Sequence, residues 1–135
     1  MATKVIYWSG SGNTEAMAEA IAAGSKVEAI RVDSASIDDV KEATTLFLGC
    51  SSQGAEELDD TEFLPFLEDA SDEFAGKNVV LFGSYDWGEG EWMEAFESQM
   101  KGWGANIVEP SAIVNLYPED EDVERLKALG EKYSA

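Results

Sequence analysis

Near the amino terminus, Ser9-Gly10-Ser11-Gly12-Asn13-Thr14 combines two glycines with three hydroxyls and an amide. Gly10 and Gly12 let the chain turn and expose its N–H groups, and the stretch EAMAEAIAA that follows adds the positive end of a helix dipole. Such a segment can cradle a dianionic phosphate with neutral donors alone, because the nearest cations in sequence are Lys4 and Lys26. It lacks the Gly-Lys-Ser/Thr ending of a nucleoside-triphosphate loop, and Glu15 stands where a dinucleotide fingerprint needs its third glycine. The competing reading is a plain Gly-Ser loop with Asn13 or Thr14 capping the helix.

Two further stretches carry chemistry. In Ser84-Tyr85-Asp86-Trp87-Gly88-Glu89-Gly90-Glu91, the rings of Tyr85 and Trp87 are mounted on a glycine-rich backbone, which suits stacking on a planar ring system. Cys50 to Asp60 carries a strand end into small and polar residues. Other chemistries fail on residue type. With no histidine in the chain, Ser-His-Asp and Cys-His catalysis and imidazole zinc sites are excluded. A Cys-x5-Arg phosphatase needs arginine where Glu56 stands, and a phospho-receiver needs an aspartate within Gly49-Cys50-Ser51. Asp59, Asp60 and Glu62 read as solvated surface before they read as a metal site.

These stretches need elements to hold them. Short apolar runs at Val5–Trp8, Val27–Ile30, Leu46–Leu48, Val79–Phe82 and Asn106–Val108, resuming near Ile113, suit strands buried on both faces. Helical spacing lies between them: Met17, Ala18 and Ile21; Phe63, Phe66, Leu67 and Ala70; Trp92, Phe96 and Met100; Val123, Leu126, Gly130 and Tyr133. The last helix opens with Pro118 and the acids Glu119 to Asp122, as a helix start should. Ser36 to Lys41 is a weaker helical stretch. Five strands alternating with helices predict a three-layer α/β sandwich on a parallel sheet, one domain over residues 1–135. All three loops then open on one edge of that sheet, beyond the strands' carboxyl ends.

The formal charge is −19, from 28 acids against 9 bases. That excludes nucleic acid and anionic membranes as partners and favours basic ones. The single cysteine, Cys50, cannot form an internal disulfide, and Lys4–Trp8 is too short to span a membrane. A cytoplasmic location is expected.

The motif YWSGSGNTEAMAEAI resembles the phosphate loop and first helix of the flavodoxins. LGCSSQGAEELDDTEFLPF and LFGSYDWGEGEWM resemble their two flavin loops, particularly in the short-chain, clostridial-type group. The resemblance runs from Lys4 to about Pro118. It implies a flavodoxin-like fold with a five-stranded sheet of order 2-1-3-4-5, an arrangement for which flavodoxins themselves are the type example. It also implies one noncovalent FMN and one-electron transfer at low potential between redox enzymes. On this resemblance Ser9, Ser11, Asn13 and Thr14, with Ser51, bind the phosphate across the turns at Gly10 and Gly12. Trp87 stacks on the outer flavin face. Gly54 presents its carbonyl near N5, and Glu56 bonds the N3–H and O4 edge. Backbone donors of Asp86 and Gly88 face the pyrimidine oxygens, with Ser52, Gln53, Ser84 and Tyr85 completing the cofactor-binding set.

Three positions depart from the short-chain pattern: Gln53 for methionine, Asp86 for glycine, and Ala55 for an acidic residue. They bear on the redox potentials more than on the cofactor, since most contacts are backbone. The implied role is an electron carrier serving basic patches on reductases, oxidoreductases or hydrogenases, as a monomer, and not a substrate-converting enzyme. The alternatives are a small flavin-dependent reductase with its own substrate and a regulatory flavin-binding module.

Overall fold

The structure, a computed structural model, describes residues 2–10, 12–51, 61–85 and 91–133. In chain order the elements are β1 (Thr3–Trp8), α1 (Asn13–Ser25), β2 (Ala29–Arg31), α2 (Ile37–Glu42) and β3 (Thr45–Cys50). Then follow α3 (Phe63–Asp69), β4 (Asn78–Tyr85), α4 (Glu91–Gly102), β5 (Asn106–Ile107), β6 (Ala112–Asn115) and α5 (Asp120–Lys132).

Strand periodicity of two sorts the core into two halves. Val5, Tyr7, Phe47, Val80 and Phe82 pack with Met17, Ala18 and Ile21 of α1 and Leu126 of α5. Their neighbours in sequence, Ile6, Leu46, Leu48, Val79 and Leu81, pack with Val40, Phe63, Leu67, Trp92, Phe96 and Met100 of α2, α3 and α4. The result is the expected three-layer sandwich. Every described pairing is parallel, in the order β2-β1-β3-β4-β5. β6 also pairs with β4, three residues further along it: Val79 faces Ile107, and Phe82 faces Ala112. The fifth position is thus filled by two short pieces. Pro110, which has no N–H to give a ladder, stands between them.

The short helix α2 owes little to an apolar face, since only Val40 is buried. Ser36 starts it with a capping box, accepting from the Asp39 N–H while the Asp39 carboxylate accepts from the Ser36 N–H. Among the described residues no helix is long and apolar enough to cross a membrane.

Candidate functional site

Polar residues are seldom buried, and three of the buried ones meet at the carboxyl ends of the central strands. Thr14 in the first turn of α1, Ser51 just after β3 and Ser84 near the end of β4 are buried together, Thr14 completely. The Thr14 hydroxyl lies 2.7 Å from that of Ser51 and 2.9 Å from that of Ser84, and it accepts the Ser84 N–H at 3.2 Å. The remaining side of the triangle, Ser84 to Ser51, is 3.4 Å. Three hydroxyls bring three protons, and two short links use only two of them. The third O–H can turn toward an outside acceptor at the cost of the longest side alone. This is a donor set suited to an anion, and it contains no charge.

The segment in front of it has the same character. Gly12, at φ 94, stands as the N-cap of α1 in the left-handed region, and it offers no side chain to the first-turn N–H groups. The competing reading of a side-chain-capped helix fails here, because neither Asn13 nor Thr14 is the cap. Both are helical, and the Thr14 side chain turns inward to the hydroxyl cluster. Ser9 accepts the Gly12 N–H at 3.0 Å, which leaves its own hydroxyl proton to donate. The helix N-terminus supplies its dipole and its orphan N–H groups at this point.

A network unforeseen from the sequence braces the edge. The indole N–H of Trp8 donates to Glu62 at 3.2 Å, and Arg31 pairs with Glu62 at 3.3 Å and with Asp33 at 3.3 Å. The Trp8 ring lies against Gly10, with Cη2 only 3.0 Å from where a Cβ would stand. All nine Lys and Arg fall among the described residues, and Arg31 alone occupies the carboxyl end of a strand. Residues 52–60 are therefore flanked by two posts that both reach the first loop: Ser51 through Thr14, and Glu62 through Trp8. As the end of the apolar run Val5–Trp8, Trp8 reads in the sequence as part of a buried strand. Its place as the last residue of β1, immediately before the glycine turns, was the signal available.

Of the third loop, Ser84 and Tyr85 belong to β4 and Glu91 opens α4. The half-buried Tyr85 ring packs on Trp92, 5.6 Å between centroids at 45°, and the Trp92 N–H donates to the Cys50 carbonyl at 3.2 Å. Ser11, Ser52, Gln53, Gly54, Glu56, Asp86, Trp87 and Gly88 lie outside the described residues. A groove of about 520 Å³ between residues 109–113 and α5 is a poorer candidate. Its cations are already paired, Arg125 with Asp122 and Lys132 with Glu109.

Known proteins resemble this chain throughout. The flavodoxin family profile matches residues 5–128. A flavodoxin of Clostridium beijerinckii is 46% identical over 124 residues, 88% of this chain and 90% of its own length. One of Megasphaera elsdenii is 44% identical over 133 residues, 95% of each chain. The solution structure of the two-electron reduced Megasphaera elsdenii flavodoxin superposes with a TM-score of 0.87 at 40% identity, covering 97% of this chain and 99% of that one.

Proposed function

The chain belongs to the flavodoxin family, FMN-binding carriers of electrons, and on that footing we propose where it holds the cofactor and whom it serves. The FMN phosphate lies at the start of α1, on Ser9, Ser11, Asn13, Thr14 and Ser51 and on the N–H groups exposed by Gly10 and Gly12. The observation that carries this is the Thr14–Ser51–Ser84 cluster: three buried hydroxyls whose longest link, 3.4 Å, can open toward a ligand, behind a helix start with no side-chain cap. Bound FMN supplies the chemistry, taking up and giving up electrons singly. The residues here bind and orient it. Ser84 keeps Thr14 in place through its N–H, and Trp92 fixes the end of β3 by holding the Cys50 carbonyl beside Ser51.

Because the cradle contains no cation, the phosphate charge is met by dipoles and remains uncancelled. Reduction then adds charge to a region already negative, which favours a low potential for the second electron. The same field draws partners with Lys- and Arg-rich docking faces. It also opposes self-association, which favours a monomer. We read the chain as one domain that acts in the cytoplasm and converts no substrate of its own.

Denaturing the purified protein and identifying the released flavin tests the cofactor and its stoichiometry. One FMN per chain is expected. FAD, or a colourless protein that takes up no FMN, would overturn the reading.

A further inference from the structure

β6 leaves the sheet through a strained residue. Leu116 has φ 63, the left-handed region, which is unfavourable for a leucine because its Cβ crowds the following carbonyl oxygen. Its N–H donates to the Tyr85 carbonyl at 2.7 Å, and the Asn115 amide donates to that same oxygen at 3.2 Å. Pro118, two residues on, is buried and fixes the other side. Held between these anchors, Leu116 and Tyr117 are 51% and 63% exposed, the most exposed large apolar side chains among the described residues. The chain continues directly into Glu119, Asp120, Glu121 and Asp122 at the start of α5. Strain is therefore spent on presenting two apolar groups to water at the carboxyl edge, beside four acids and one hydrogen bond away from β4.

We propose that Leu116 and Tyr117 are the apolar centre of the surface on which a redox partner docks, and that the partner is a protein whose own apolar contact is rimmed by Lys and Arg. This rests on the reading that the chain passes electrons to basic partners. Charge selects the occupant. A second copy of a chain at −19 would bring another set of acids against residues 119–122, whereas a basic rim pairs with them. An apolar centre inside a polar rim is the ordinary anatomy of a specific interface. The link from Leu116 to Tyr85 places such a partner at the strand ends where the cofactor is assigned.

The test is stopped-flow oxidation of the reduced FMN-loaded protein by ferric cytochrome c, a basic haem protein, across a range of ionic strength. In each encounter one electron leaves the flavoprotein and haem iron(III) becomes iron(II). The variant is Leu116→Asn with Tyr117→Ser, because asparagine accepts a left-handed backbone. Its second-order rate should fall about tenfold at every ionic strength, the equivalent of ~1.4 kcal/mol, with an unaltered salt slope and FMN affinity. An unchanged rate with the slope intact overturns the docking assignment and leaves the basic-partner reading standing. A wild-type rate that is flat in salt overturns that reading and the proposal with it. A dimer seen in sedimentation and abolished by the variant also overturns the proposal, since the surface would then serve a second copy. If the double variant fails to hold FMN, Tyr117→Ser alone carries the test, with a smaller fall and the same unaltered slope.

Discussion

The two edges of the sheet handle polarity in opposite ways. At the amino edge, charges close on groups within the chain. Lys77 donates to the carbonyls of Lys41 and Ala43 at 2.8 and 2.7 Å, and Glu109 takes Lys132 at 2.7 Å and the Tyr133 hydroxyl at 2.6 Å. Thr3 ties β1 to the end of α5 through the Tyr133 carbonyl. At the carboxyl edge Arg31 pairs with Glu62 and Asp33 on the outside, while the buried polar groups are neutral hydroxyls whose ring closes through one long side of 3.4 Å. Where charges are self-paired, their effect is on stability. Where a buried donor is tied by one long link, a ligand can take that link's place.

That contrast makes substitutions at the two edges separable. Thr14→Ala at the carboxyl edge removes the hub of the hydroxyl cluster. It should weaken FMN relative to riboflavin by roughly 1–3 kcal/mol, the range for a hydrogen bond to a charged group. Fluorescence titration of the apoprotein with both flavins measures it. Equal losses for the two flavins would move the phosphate elsewhere.

Breaking the Arg31–Glu62 pair tests whether that edge is felt electrostatically. Glu62→Gln removes a negative charge and should raise the flavin couples, while Arg31→Met removes a positive one and should lower them. For a unit charge about 10 Å away in water the energy is ~0.4 kcal/mol, roughly 20 mV on a one-electron couple. Potentiometric titration decides. A shift in the same direction for both variants would mean that the pair acts only by holding the loops.

The smallest effect belongs to the amino edge. The Lys132 ammonium, and then the Tyr133 hydroxyl, hold the Glu109 carboxyl below its ordinary range, and that hydrogen bond to Glu109 pushes Tyr133 from 10.0 up to about 12. A carboxyl lowered on folding contributes stability above its unfolded pKa and loses it as pH falls through its folded value. A phenol raised on folding contributes below about 10 and loses it between about 10 and 12. Tyr133→Phe should therefore flatten the decline of Tm across that alkaline window and leave flavin affinity alone. A wild-type decline that persists in the variant would assign it to other groups.

The sequence was a good guide wherever a signal is local. Continuous apolar runs and helical spacing placed the layers, and the three loops were assigned to one edge because parallel strands leave no other choice. The hydroxyl cluster was legible only as residue types, since Thr14, Ser51 and Ser84 lie 37 and 70 residues apart and nothing local says that they touch. The Trp8–Glu62–Arg31 brace was hidden for the same reason: it joins three elements that only the strand order brings together. Leu116 carries no left-handed signature at all, because glycine or asparagine would ordinarily announce that backbone. The split fifth strand was marked by Pro110, and α2 by its capping box more than by its apolar pattern.

A phosphate held by neutral dipoles in a protein of charge −19 has a distinctive response to salt. The dianion is repelled at long range by the acids and attracted at short range by buried donors that salt hardly screens. Titrating the apoprotein with FMN and with riboflavin between about 10 mM and 1 M salt, over which the Debye length falls from ~30 to ~3 Å, separates the two contributions. The preference for FMN over riboflavin should hold or grow as salt rises. A preference that collapses with added salt would place a cation at the phosphate and contradict the uncharged cradle.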